Sequence, residues 1–242
     1  FLEDNSSSIL IENPEFCAVS ETGAPTTRLC RTRPEVQQYE IEILHEIINT
    51  YQVHGIVLDY IRFNEFPRDC YCDFCVSKFV EETGLSSEQF GLSSQEWAEW
   101  RCGIITSVVR TAANLTKEAG IKLSAAVFPN WPHCRNDVGQ DWGLWCRESL
   151  LDFVMPMVYS NNLNTVKNWT KAHISASPDV PVYEIIGIST SKSKLSDDEV
   201  ILQANVTIDL GASGIMFYSN NPMEHGWLKK VNKIKLRNGI LK

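Results

Sequence analysis

The chain has 242 residues, 43% of them hydrophobic and 21% charged, the balance of an ordinary globular core. Its formal charge of −8 and pI near 5.2 speak against nucleic acid or an anionic membrane surface as partner, because phosphate recognition needs an excess of Lys and Arg on one face. A neutral ligand such as a sugar fits that balance, and no apolar run approaches the roughly 20 residues of a membrane span. The sequence opens on Phe1 instead of Met, which implies either a removed signal segment or a piece of a longer protein. Asn-x-Ser/Thr sequons at Asn5, Asn114, Asn168 and Asn205 would accept glycans in a eukaryotic secretory pathway.

Taken in chain order, residues 1–33 offer at most Ser8 to Ile11 as a strand, followed by a loop rich in Pro, Gly, Thr and Cys. A helix is expected from Pro34, with proline at its first position and Ile41, Leu44, Ile47 and Ile48 as its apolar stripe. It leads into a strand from Gly55 to Asp59. A long helix from Gln95 to Ala119, stopped by Gly120, precedes a buried strand from Lys122 to Phe128. Leu151 to Tyr159 is the third strand, and a helix from Thr165 to Ala176 leads to a fourth at Val180 to Gly187. Ser196 and Glu199 have the spacing of a capping box that opens one more helix, and Gly214 to Tyr218 is the last strand.

Strands alternating with helices mean parallel strands joined by right-handed crossovers, either closed into a barrel or spread into a doubly wound sheet. No Gly-rich phosphate loop follows any of these strands, so the (β/α)8 TIM barrel is the better reading. Five strands are evident where a barrel needs eight, and the expectation is one domain over 1–242 that lacks its first two or three βα units and forms the C-terminal part of the barrel.

Eight cysteines stand at 17, 30, 70, 72, 75, 102, 134 and 146. The run Cys70-Tyr-Cys72-Asp-Phe-Cys75 puts three thiolates in one tight loop and the first turn of the helix that follows, a geometry suited to a tetrahedral zinc that still requires a fourth ligand. A disulfide framework is the alternative for an even cysteine count, although cysteines this close pair poorly with one another. The Cys-Tyr-Cys-x-x-Cys loop resembles the zinc loop of glycoside hydrolase family 42, in which a further cysteine lies upstream of the preceding helix. That resemblance implies Cys30, ahead of Pro34-Glu-Val, as the fourth ligand of a structural Zn2+, with Cys17 as its rival. Cys102, Cys134 and Cys146 read as buried thiols.

The segments Pro34-Glu-Val, His54-Gly-Ile-Val-Leu-Asp-Tyr-Ile-Arg-Phe63, Val138-Gly-Gln-Asp-Trp-Gly-Leu-Trp145 and Leu151-Asp-Phe-Val-Met-Pro-Met-Val-Tyr159 resemble, in order and spacing, the signatures of family-10-like glycosyl hydrolase-like barrels. The resemblance runs over roughly residues 13 to 220. It implies a (β/α)8 barrel and hydrolysis of glycosidic bonds. The Asn-Glu acid/base pair of family 42 is absent after Leu58, so β-galactosidase activity is not expected.

Barrel active sites lie at the C-terminal ends of strands, where side chains from several strands converge. Asp59 and Arg62 follow the first visible strand, Asn130 and Trp131 the second, Tyr159 the third and Tyr218 the last. A carboxylate, a guanidinium, an amide and aromatic faces make a saccharide site, since sugars stack on rings and hydrogen-bond at their edges. Glycosidases commonly use two carboxylates. Asp59 is the first choice, and Glu184 and Asp141 are candidates for the second, with Glu65 and Glu224 as loop alternatives. Asp59 has a structural reading too, as the salt-bridge partner of Arg62; Trp131, Trp142 and Trp145 divide between core and site. The glutamate of substrate-assisted chitinase-like barrels is here Ile61, which argues against that mechanism.

Two functions stay open: a glycosidase acting on a polysaccharide or glycoconjugate, and a catalytically silent carbohydrate-binding barrel. A metal-dependent amidohydrolase is a distant third, because His45, His54, His133, His173 and His225 form no His-x-His pair. No organic cofactor is expected, and the sequence leaves the oligomeric state open.

Overall fold

The computed structural model describes residues 8–64, 69–85, 94–218 and 234. The chain divides into two compact units. One comprises Phe1–Ile56, Tyr60–Ile121 and His133–Asp141; the other comprises Val57–Asp59, Lys122–Pro132 and Trp142–Lys242. Among the described residues no helix is long and apolar enough to cross a membrane.

In the first unit, Ser8–Glu12 is a short helix, α1, and not the strand expected of Ser8 to Ile11. Three consecutive large aliphatics fit either period, and Asn13 decides between them: its amide nitrogen and its Nδ2 both donate to the Ile9 carbonyl, at 2.9 and 3.2 Å, closing a helical turn. The segment read as a loop contains an antiparallel hairpin of β1, Cys17–Val19, and β2, Pro25–Leu29. Thr26 to Leu29 alternates half-buried, exposed, half-buried and buried, a period-2 signal obscured in the sequence by the neighbouring proline and glycine. α2, Pro34–Thr50, starts at the proline as expected. α3, Asp73–Thr83, follows the cysteine loop. α4, Gln95–Glu118, opens on Ser94, whose Oγ accepts from the Trp97 amide at 3.1 Å, and buries a stripe of Arg101, Ile105, Val109, Ala112 and Thr116. Phe79 and Trp97 are fully buried with ring centroids 5.0 Å apart, joining α3 to α4.

The five expected strands form one parallel sheet in the order β3 (Gly55–Leu58), β4 (Lys122–Val127), β5 (Phe153–Val158), β6 (Tyr183–Gly187) and β7 (Gly214–Tyr218). The sheet is a partial TIM barrel, with β3 and β7 as its edges among the described residues. Helices α5 (Cys134–Val138), α6 (Trp142–Arg147), α7 (Leu163–Ala176) and α8 (Asp197–Asp209) lie in the crossovers from β4 onward. α8 carries the full capping box: Glu199 N donates to Ser196 Oγ, and Ser196 N donates to Glu199 Oε2 at 2.8 Å.

Within the second unit, period-2 alternation separates two apolar layers. Val158 and Ile186 point to the helices, where they join Ile188, Leu195, Val200 and Ala204. Ala126, Met155 and Ile185 share the opposite face with Phe153, Met157 and Tyr159. On β7 this second face is open: Met216, paired with Ile185, is 40% exposed.

Candidate functional site

The strand-end residues of the second unit come from four strands. Asp59 is exposed directly after β3, in the alternation set by buried Ile56 and exposed Val57. Asn130 and Trp131 follow β4, and both are half-buried. Tyr159 follows β5 and Tyr218 ends β7; their rings stack, with centroids 5.6 Å apart and planes 8° apart, and Tyr218 is 53% exposed. Gly187, at the end of β6, makes this stack possible: a Cβ there would lie 2.6 Å from Tyr159 Cδ1 and 2.7 Å from Ser193 Oγ. Two parallel phenol rings at the C-terminal strand ends, one largely exposed, form a platform of the kind on which sugar faces stack.

Trp131 lies against Trp142 at 4.9 Å between centroids, and a side chain at Gly143 would collide with its ring at 2.5 Å. Trp142 and Trp145 are fully buried core residues, which leaves Trp131 alone of these three indoles partly open to solvent. The loop that carries Asn130 and Trp131 is tied down from below. Trp142 Nε1 donates to Phe128 O at 3.2 Å, and His173 Nε2 contacts Pro129 O at 2.7 Å. A carbonyl only accepts, so His173 carries a proton on Nε2.

Glu184, a proposed second carboxylate, is not presented at these strand ends. Glu184 shares the helix-facing side of β6 with Ile186 and is fully buried, with Oε1 2.9 Å from His173 Nδ1. With Nε2 turned to Pro129 O, the Nδ1–Glu184 contact links α7 to β6. Asp141 belongs to the other unit, is nearly buried, and accepts from Arg135 Nε at 2.8 Å. Alternation along β6 puts Tyr183, Ile185 and Gly187 on the face of Met155 and Met157, and Glu184 on the opposite one. Asp141 precedes α6 and serves as the anchor of Arg135. Glu65 and Glu224 lie outside the described residues.

Arg62 belongs to the first unit, where its guanidinium lies 4.8 Å over the Tyr60 ring and Nη1 donates to Phe63 O at 3.2 Å. In the same unit Cys30, Cys70, Cys72 and Cys75 converge, with all four sulfurs within 4.8 Å of one another, close enough to hold a metal ion. Cys30 Sγ is 3.7 Å from Cys72 Sγ and 3.3 Å from Cys75 Sγ, and Cys72 and Cys75 are 3.6 Å apart. A tetrahedron of sulfurs each roughly 2.3 Å from a zinc has edges of about 3.8 Å, whereas a disulfide needs about 2.05 Å. The set therefore fits a tetrahedral cation and contains no bridge; none of the eight cysteines is in a disulfide. Hydrogen bonds from Cys30, Cys70 and Cys75 hold Cys72 well below the usual thiol range, while the reciprocal bonds and burial push Cys70 and Cys75 up.

The remaining cysteines are elsewhere. Cys17, the rival ligand, donates to Thr26 O at 2.8 Å. Cys102, pushed up to about 12 by burial, donates to Arg135 O at 3.3 Å; Cys134 donates to Gln140 O at 3.4 Å, and Cys146 is buried. Sequence reasoning missed His173, whose only signal was its helical spacing from Val166 and Thr170 on the buried face of α7.

A parallel sheet with helical crossovers and an aromatic, carboxylate-bearing strand-end face defines the class: a partial TIM barrel of glycoside-hydrolase type. The model of the family glycosyl hydrolase-like 10 matches residues 2–194, and the chain belongs to that family. No curated protein sequence matches it. Among solved structures it is similar to the glycoside hydrolase domain of PgaB (BpsB) from Bordetella bronchiseptica, with a TM-score of 0.70, 13% identity, and 92% of this chain and 70% of that chain covered. It is also similar to a β-galactosidase from the psychrophilic Marinomonas ef1, with a TM-score of 0.64 and 10% identity, over 88% of this chain and 42% of that one. At these identities the likeness is one of fold.

The buried pair yields a prediction that separates structure from chemistry. Glu184→Ala leaves His173 with its Nδ1 partner removed in a dry site, and unfolding free energy should fall by about 3–5 kcal/mol. Urea denaturation measures this, and a loss under about 1 kcal/mol would contradict the buried-pair assignment.

Proposed function

We propose that the protein is a glycoside hydrolase that cleaves O-glycosidic bonds of a polysaccharide or glycoconjugate, with Asp59 as its strand-end carboxylate. The observation that carries this reading is the exposed Tyr218 ring stacked on Tyr159, on the same strand ends as Asp59, Asn130 and Trp131, in a chain of the glycosyl hydrolase-like 10 family. In this reading a sugar ring lies on the tyrosine platform and the edge donors fix its hydroxyls, with Asn130 and Trp131 on the β4 side. Asp59 then acts as acid/base or nucleophile at the bond between two sugars.

A second reading is favoured by one observation: of the two other proposed carboxylates, Glu184 is fully buried against His173 and Asp141 is bonded to Arg135. A protein that keeps the aromatic platform without a second working carboxylate binds glycan and releases no product. Asp59→Asn separates the two, because it keeps size and shape and removes the titrating group. Turnover on a susceptible polysaccharide should fall by at least about 100-fold with the melting temperature unchanged. A variant of full activity would remove Asp59 from the machinery. Binding by the wild-type protein with no release of reducing ends would establish the binding barrel instead.

The cysteine cluster is proposed to hold one structural Zn2+ through Cys30, Cys70, Cys72 and Cys75. Four thiolates leave no open position for water, so the metal serves the fold and not the bond-breaking step. Elemental analysis should find one zinc per chain, and Cys72→Ser should lose it and melt at lower temperature. Purified protein without zinc, with all four thiols reactive toward alkylating reagents, would refute the assignment.

A further inference from the structure

The two neighbours of the cysteine ligands both reach the segment that follows β3. Arg31, next to Cys30, donates through Nη1 to the carbonyls of Tyr60 and Arg62. Its Nε is held by Glu40 Oε1 at 2.8 Å, and its own carbonyl accepts from Gln37 Nε2 at 2.7 Å, so α2 fixes both ends of Arg31, one peptide bond from Cys30. Asp69, next to Cys70, is buried and accepts from the amide of Asn64 at 2.8 Å and from Asn64 Nδ2 at 2.9 Å. The Asp69 carbonyl in turn accepts from Arg101 Nη2 at 2.6 Å, and the Arg101 guanidinium lies 4.5 Å over the ring of Phe63.

The rest of the segment is tied equally closely. Gln140 Nε2 donates to Ile61 O at 3.2 Å, and the Phe63 amide donates to Val138 O at 2.9 Å. Tyr60, at the head of the segment, has φ of +55°, a left-handed conformation that is unfavourable for a residue with a Cβ and persists only where the surroundings over-determine it. Here the over-determination is visible: the carbonyls on both sides of Ile61 are claimed by one guanidinium, and that guanidinium is rooted one residue from a cysteine ligand.

We propose that Arg31 and Asp69 are positioning residues through which the cysteine cluster sets the backbone of Tyr60 to Asn64, and with it the presentation of Arg62, so that metal occupancy governs the order of this strand-end segment. The proposal rests on the metal reading above and adds to it. A zinc that takes no part in the chemistry still controls a segment beginning one peptide bond after Asp59. Arg31 and Asp69 donate to and accept from the segment directly, while the sulfurs hold the two chain stretches that carry them at fixed separation.

The test is residue-resolved amide hydrogen exchange, which needs no substrate and no turnover. In the zinc-loaded protein, Arg31→Met and Asp69→Ala should each keep one metal per chain, yet speed exchange at the Phe63 and Asn64 amides roughly tenfold or more. The amides of Val154, Ile185 and Ile186 in the sheet should keep their wild-type rates. Removing zinc from the wild-type protein with a chelator should reproduce the same local pattern. Unchanged exchange at Phe63 and Asn64 in metal-loaded Arg31→Met would overturn the positioning role. Loss of protection throughout the chain on chelation would overturn the local link to the metal, and show the cluster to be a staple of the whole fold. If the purified protein contains no metal, the zinc reading fails by itself, and Arg31→Met in the protein as purified still decides whether Arg31 holds the segment.

Discussion

Where a parallel strand ends, its last backbone groups leave the hydrogen-bond ladder, and each must find another partner or be wetted. In this protein buried side chains supply those partners at one strand end after another. Trp142 and His173 take the carbonyls of Phe128 and Pro129 after β4. Gln203 takes Ser160 O after β5 at 2.8 Å, and Ser193 takes Gly187 O after β6 at 2.7 Å. In the first unit Arg31 and Gln140 do the same for Tyr60, Ile61 and Arg62. Loops so fixed present aromatic and polar side chains to solvent in one geometry, and a binding site that must recognise hydroxyl patterns depends on that preorganisation.

This constraint explains why several polar residues of catalytic type are not free for catalysis. Glu184 and His173 lie behind the sheet; Glu184 holds the imidazole through Nδ1, and Nε2 of the same ring donates to Pro129 O in the loop that carries Trp131. Asp69 and Arg101, both buried, hold the segment after β3. Burial pushes the Asp69 carboxyl up, while its bonds from Asn64 and the nearby Arg101 and Arg28 charges pull it down. That is the balance of a carboxylate kept in the interior by its partners. The cysteine cluster belongs to the same layer of support, joining the hairpin, the start of α2 and the start of α3 through sulfurs that a small dication would match.

The sequence revealed the sheet because its strands are apolar runs cut by glycine and its helices start at Pro34, Ser94 and Ser196, where local chemistry and tertiary packing agree. It also revealed the three-cysteine loop, whose spacing is itself the signal. The β1–β2 hairpin stayed hidden because its strands are short and half-exposed, and α1 because Ile9-Leu10-Ile11 suits either period. The roles of Glu184 and His173 were out of reach for a different reason. Whether a mid-strand acid faces the cleft or the helices depends on strand register, and its partner came from another helix, so nothing near Glu184 in the chain announced it. Arg31 was invisible on similar grounds: its importance lies in two carbonyls about thirty residues away.

The central claim is that the strand-end tyrosine platform of the second unit binds sugar. Calorimetric titration of the wild-type protein and of Tyr218→Ala with cello-, xylo- and chito-oligosaccharides tests it most directly, since Tyr218 is the exposed ring and its removal leaves the core intact. The account predicts binding to at least one series and a loss of about tenfold or more in the variant, the scale of one aromatic stacking contact. Binding of equal strength in both proteins, or binding of none of the three series by the wild type, would contradict it.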